Sequence, residues 1–175
     1  MRRMVMRKNM LLGISFLALS TSMFALDGIV KFGFASNAGA YNGRSKSFES
    51  YAPNLAAEIR QGFVLGEVGA GIAYNGKVGD TGIANVPVYA LLKWNVLPIL
   101  PVKPYLVGKV GRVLKTNEDV KGSDPSGRGY YGVGAGIEVM DLEVEAMYSA
   151  TKIRQDHRGK DWLNQVSLGV GYKIF

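Results

Sequence analysis

Residues 165–175 read QVSLGVGYKIF, with Val166, Leu168, Val170, Tyr172 and Ile174 at every second place. Gln165, Ser167, Gly169, Gly171 and Lys173 take the places between. Successive side chains of a β-strand leave opposite faces, so this strand has one apolar face and one polar or empty face. Chain ends fray unless something holds them, and a last strand that zips against a first one is held. Ile174 adds one residue before the closing aromatic, which predicts Phe175 on the polar face.

The same alternation recurs upstream in seven more segments, each near the 9–11 residues that a tilted membrane strand needs. Segment one, Gly28–Ser36, sets Val30, Phe32 and Phe34 against Lys31, Gly33 and Ala35. Segment two, Tyr51–Arg60, sets Leu55, Ala57 and Ile59 against Asn54, Ala56, Glu58 and Arg60. Segment three spans Val64–Tyr74, and segment four spans Val86–Asn95 with Lys93 opposite Trp94's face. Segment five, Pro104–Leu114, is expected to turn Lys109 inward and let Arg112 snorkel from the apolar face toward the rim. Segments six and seven, Gly129–Val139 and Asp141–Thr151, alternate cleanly. Short turns are expected around Gln61–Phe63 and Met140–Asp141, and a stiff connection with Pro98 and Pro101 at Val96–Lys103. Longer polar connections are expected at Asn37–Ser50, Asn75–Asn85, Lys115–Arg128 and Lys152–Asp161. Short turns on one side and longer loops on the other predict an all-β transmembrane antiparallel up-and-down barrel of eight strands, with periplasmic turns and extracellular loops.

One face of these strands carries Lys31, Glu58, Arg60, Glu67, Lys93, Lys109, Glu138, Glu143, Glu145 and Lys173. The other is almost entirely aliphatic or aromatic. A soluble lipid-carrying barrel also alternates, with its apolar side inward. Two features predict the inverted arrangement here. Glycines such as Gly69, Gly71, Gly132, Gly134 and Gly136 crowd the charged face, which suits a narrow lumen. The charges also balance, and pairing is what makes burying them tolerable. The ten residues are therefore expected to form a lumenal charge network, mostly in the periplasmic half. Trp94 and Tyr172, near strand ends, are expected at a lipid–water interface.

The N-terminus predicts export. Arg2, Arg3, Arg7 and Lys8 precede the apolar run Met10–Ser20, and small residues suit cleavage after Ser22 or Ala25. Residues 1–25 are thus expected to be a signal peptide and residues 26–175 the barrel domain. The leader holds four bases and no acid, so the formal charge of +7 overstates how basic the working protein is, and nucleic acid is not an expected partner. Cysteine is absent, which excludes disulfides and thiolate metal sites.

The tail Gly169-Val170-Gly171-Tyr172-Lys173, ending on Phe175, resembles the C-terminal strand of the small OmpA-like and OmpX-like eight-stranded outer-membrane barrels. The resemblance covers residues 26–175. It implies an outer-membrane location, engagement of the barrel-assembly machinery through the last strand, and a non-enzymatic structural or adhesive scaffold that presents loops. A minor pore for ions or small solutes is the alternative, and a lipid A-modifying enzyme is a third.

Enzyme chemistry finds little material. His157 is the one histidine, and Gly159 stands where the deacylase-like pattern of lipid A-modifying barrel enzymes has a serine. Ser149 has no spacing that fixes it to His157. Asp119 and Asp124 lack calcium-loop spacing, and no cofactor is expected. The Gly132-Val133-Gly134-Ala135-Gly136 run suits a crowded lumen better than a phosphate loop. The final loop, with Lys152, Arg154, His157, Arg158 and Lys160, is the expected interaction surface. Its bases sit at the height of lipopolysaccharide phosphates. Host or bacterial surface ligands are the other expected loop partners.

Overall fold

Each alternating segment pairs with both of its neighbours. The computed structural model describes residues 26–39, 48–78, 83–96, 101–118, 129–155 and 159–175, with 115–118, 153–155 and 159–161 described by backbone alone. The strands are β1 (Leu26–Asn37), β2 (Ala52–Phe63), β3 (Gly66–Asn75), β4 (Ile83–Asn95), β5 (Val102–Glu118), β6 (Gly129–Val139), β7 (Leu142–Gln155) and β8 (Gly159–Lys173). They form a closed antiparallel barrel in chain order. The proposed leader, residues 1–25, lies outside the described residues, as do His157 and Arg158.

Closure is made by β1 and β8, where Lys31 faces Gly171 and Phe32 faces Val170. A closed ladder satisfies every strand's backbone groups without water, which is what a bilayer core demands. The side chains alternate as the sequence predicts. Phe32, Phe34, Leu106, Val110, Val133 and Leu168 are exposed on the outside, while Lys31, Glu58, Lys93 and Glu145 are buried within.

Several boundaries differ from expectation. The β2–β3 hairpin turns at Val64 and Leu65, with Phe63 paired to Gly66, rather than around Gln61–Phe63. Gly62 stays in the ladder opposite Glu67, so the turn falls at Val64 and Leu65. Strand β4 starts at Ile83 instead of Val86, and β5 runs on to Glu118. A register shift at Val86/Pro87 accommodates the extra residue in β5 and the proline's missing N–H. Strands β7 and β8 pair as far as Gln155 and Gly159. The expected loop Lys152–Asp161 is therefore mostly hairpin, and Lys152, Arg154 and Lys160 are strand residues. A ladder can continue beyond the belt because backbone pairing still holds in water, though less strongly, while apolar alternation is no longer required.

The chain end corrects a second expectation. Strand β8 stops at Lys173. Ile174 N–H then donates to the Gly28 carbonyl at 2.8 Å, and Gly28 N–H donates to the Phe175 carbonyl at 3.0 Å. Two consecutive residues thus bond to the single Gly28, a bulge that turns the Phe175 ring out over Gly28, whose place in β1 is in the outward series with Val30 and Phe32. A Cβ at Gly28 would lie 2.5 Å from the ring. Phe175 thus closes the seam on the outer surface, an aromatic over a strand glycine. Gly28→Val displaces the ring and lowers the urea midpoint of the refolded barrel, a loss of about 1 kcal/mol because a chain end yields easily. A midpoint equal to the parent's rejects the seam contact.

Candidate functional site

An eight-stranded barrel is just wide enough for side chains to fill, so charged residues turned inward from several walls must meet. Nine of the ten sequence-expected charges do. Arg60, 1% exposed, reaches from β2 to Glu58 through Nε at 2.9 Å, to Glu67 at 2.9 Å and to Glu143 on β7 at 2.7 Å. Lys93 on β4 bonds Glu143 at 2.5 Å, Glu67 at 3.3 Å and Glu138 on β6.

A second tier lies deeper. Lys31 pairs with Glu145 at 2.5 Å and Glu143 at 3.4 Å. Lys109 bridges Glu58 at 2.9 Å and Glu145 at 3.2 Å. Two tyrosines finish the tier. Tyr89 O–H donates to Glu58 at 2.8 Å and Tyr105 O–H to Glu145 at 3.2 Å, while their rings lie 4.9 Å from Lys109 Nζ and 4.4 Å from Lys93 Nζ. In a low-dielectric lumen this mutual pairing offsets the cost of removing charge from water.

Lys173 stands apart. Its side chain is 40% exposed and pairs with Asp27 at 2.7 Å, at the mouth beside the termini. Lys103 joins Glu138 at 3.0 Å instead. Lys103 lies at the end of the connection expected at Val96–Lys103, yet its inward parity with Tyr105 and Lys109 is the signal that places it.

The other half of the lumen is filled differently. Asn54 donates to Asn75, and Asn75 donates to Asn85 at 2.7 Å. Above these amides Ile83 and Leu163 meet from opposite walls, and Val78 packs on Ala35 and Ala52. Between amides and charges lies a cavity of about 30 Å³ lined by Lys31, Asn54, Tyr89, Lys109, Tyr130 and Glu145. That is room for one or two waters.

On the outer surface Trp94 and Tyr172 are both 53% exposed and sit beside the short hairpins, opposite Gly66 and Leu142 respectively. A second aromatic group, Tyr74, Tyr131, Tyr148 and Trp162, marks the other end of the belt. No cluster of three or more potential metal ligands occurs among the described residues.

No family model matches the chain, and no curated protein matches it. Among solved structures it is similar to Neisserial surface protein A, with 17% identity and a TM-score of 0.56 over 85% of this chain and 97% of that one. It is also similar to a de novo designed transmembrane β-barrel, with 15% identity and a TM-score of 0.48 over 85% of this chain and 95% of that one. The outer membrane protein Ail of Yersinia pestis gives 18% identity and a TM-score of 0.44 over 86% and 100% of the two chains. The fold is that of the small eight-stranded outer-membrane barrels.

Proposed function

We propose that this chain is an exported, non-enzymatic protein of the bacterial outer membrane whose lumen is a salt-bridged plug and whose working surface is the loop end of the barrel. The plug is supported foremost by Arg60 and Lys93, which are 1% and 0% exposed and tie β2 and β4 to β7 across the lumen. A side-chain network that spans the interior rigidifies the walls and blocks conduction. Residues 1–25 serve as the export signal, removed after Ser22 or Ala25. The strands then act as a lipid-embedded scaffold that holds four connections outside the cell, where lipopolysaccharide and surface ligands of host or bacterial origin are the partners.

Planar-bilayer recording of the refolded 26–175 chain tests the plug, after a gel shift on boiling has established a closed barrel. Silence at moderate voltage is expected. Discrete, reproducible openings replace the plug with a narrow path through the 30 Å³ cavity beside Lys31 and Lys109, and make the protein a minor pore.

A further inference from the structure

Arg112 sits on the outside of β5 and is exposed. It pairs with Val88 on one side and with Gly129 on the other. Because Tyr130 pairs with Thr151, the neighbour of Gly129 on β7 is Lys152, which in turn pairs with Trp162. One outward row across β5, β6, β7 and β8 therefore reads Arg112, Gly129, Lys152, Trp162. The backbone positions of Arg112 and Lys152 are therefore about 10 Å apart, two strand spacings, and Gly129 between them has no side chain of its own.

The floor of that notch is aromatic. The Tyr131 ring leans beside Gly129, so that a Cβ there would lie 3.1 Å from it. Tyr131 and Trp162 are 5.9 Å apart, and Lys152 Nζ lies 5.7 Å from the Trp162 ring. Neither Arg112 nor Lys152 makes an ion pair among the described residues. From Tyr131 down β6 to Val139 the outward residues are apolar, a drop of roughly 20 Å along the axis at ordinary strand rise and tilt. The row thus stands at the upper boundary of the belt, where phosphate headgroups lie.

Arg112 is also one end of a shallow apolar groove of about 720 Å³ that crosses β4 and β3 to β2. Ala57, Ala70 and Ala90 form its floor, and Ile72 and Val110 rise beside them. A free anion has no use for such a groove, whereas a lipid carries phosphate and hydrocarbon together. We propose that Arg112, Gly129 and Lys152 form a headgroup notch for the phosphate of an anionic lipid in the surrounding leaflet, with one acyl chain in the groove beside Arg112. Guanidinium and ammonium donors supply charge-assisted hydrogen bonds to the phosphate oxygens. Gly129 adds no side chain, so it is the Tyr131 ring and hydroxyl that line the space that the phosphate shares with the two bases.

This proposal rests on the outer-membrane reading, which fails separately if the refolded chain shows no gel shift on boiling. The test is native mass spectrometry of the refolded barrel titrated with bisphosphorylated lipid A, and in parallel with its phosphate-free form. The parent is expected to retain the bisphosphorylated lipid at least tenfold better. R112Q/K152Q is expected to abolish that preference, while each single variant lowers it about threefold and remains informative if the double variant does not fold. Gly129→Val, with both charges intact, is expected to reduce the preference comparably, because its side chain pushes the Tyr131 ring into the notch. Equal retention of the two lipids, or an unchanged preference in R112Q/K152Q, overturns the site. Displacement of bound lipid by millimolar inorganic phosphate also overturns it, because the notch is then a free-anion site.

Discussion

Arg60→Met lowers the stability of the refolded barrel by about 3–5 kcal/mol, the usual cost of removing one partner from a buried charge network. Arg60 contacts three carboxylates, Glu58, Glu67 and Glu143, and methionine fills much of its volume without its charge. Lys31, Lys93 and Lys109 remain nearby, each already engaged with acids of the same group. The three carboxylates are then left in a lumen with too little positive charge. Urea titration followed by gel shift measures the loss. Adding Glu143→Gln to the variant is expected to recover part of it, since the uncompensated charge falls by one, and the cycle gives a coupling energy above about 1 kcal/mol. An Arg60→Met barrel within about 1 kcal/mol of the parent, or no recovery in the pair, means that the network does not hold the walls.

Gly136→Val is expected to cost about 3 kcal/mol through overpacking. A Cβ at Gly136 would stand 2.5 Å from the Tyr105 ring and hydroxyl and 2.5 Å from the Val144 carbonyl. Tyr105 is 1% exposed and has no room to retreat. Its displacement breaks the hydrogen bond to Glu145 and uncovers the ring face beneath Lys93, so packing and charge suffer together. Gly108→Ala is the control, because nothing lies within 4 Å of a Cβ there, and it is expected to stay within about 0.5 kcal/mol of the parent. Replacing Tyr105 with Leu in the Gly136→Val background is expected to restore part of the loss. If Gly136→Val and Gly108→Ala unfold at the same urea concentration, the lumen is looser at Tyr105 than the geometry allows.

The period-2 pattern made the strand faces legible, because an apolar environment outside and a narrow interior each dictate every second residue. Lys31, Glu58, Arg60, Glu67, Lys93, Lys109, Glu138, Glu143 and Glu145 all share the face that alternation assigns to the interior. Their partners were not legible. That Arg60 meets Glu143, 83 residues away, depends on strand order, closure and shear, which alternation leaves undetermined. Lys103 was misplaced for a related reason: beside prolines and near a strand end, one residue of parity carries little signal.

Strand ends are the least legible part of the pattern. Lys152, Arg154 and Lys160 read as loop residues because apolar alternation fades where the ladder leaves the belt, yet the backbone pairing continues. Simple alternation puts Phe175 inward, but Ile174 and Phe175 both bond to Gly28, and that two-against-one step shifts the parity outward. Eight strands, their faces and the asymmetry of their connections follow from each residue and its near neighbours in contact with lipid, water or lumen. Which charges pair, how the amides and apolar groups fill the other half, and that Arg112 and Lys152 flank one glycine depend on strands far apart in the chain, whose register is fixed only when the ladder closes.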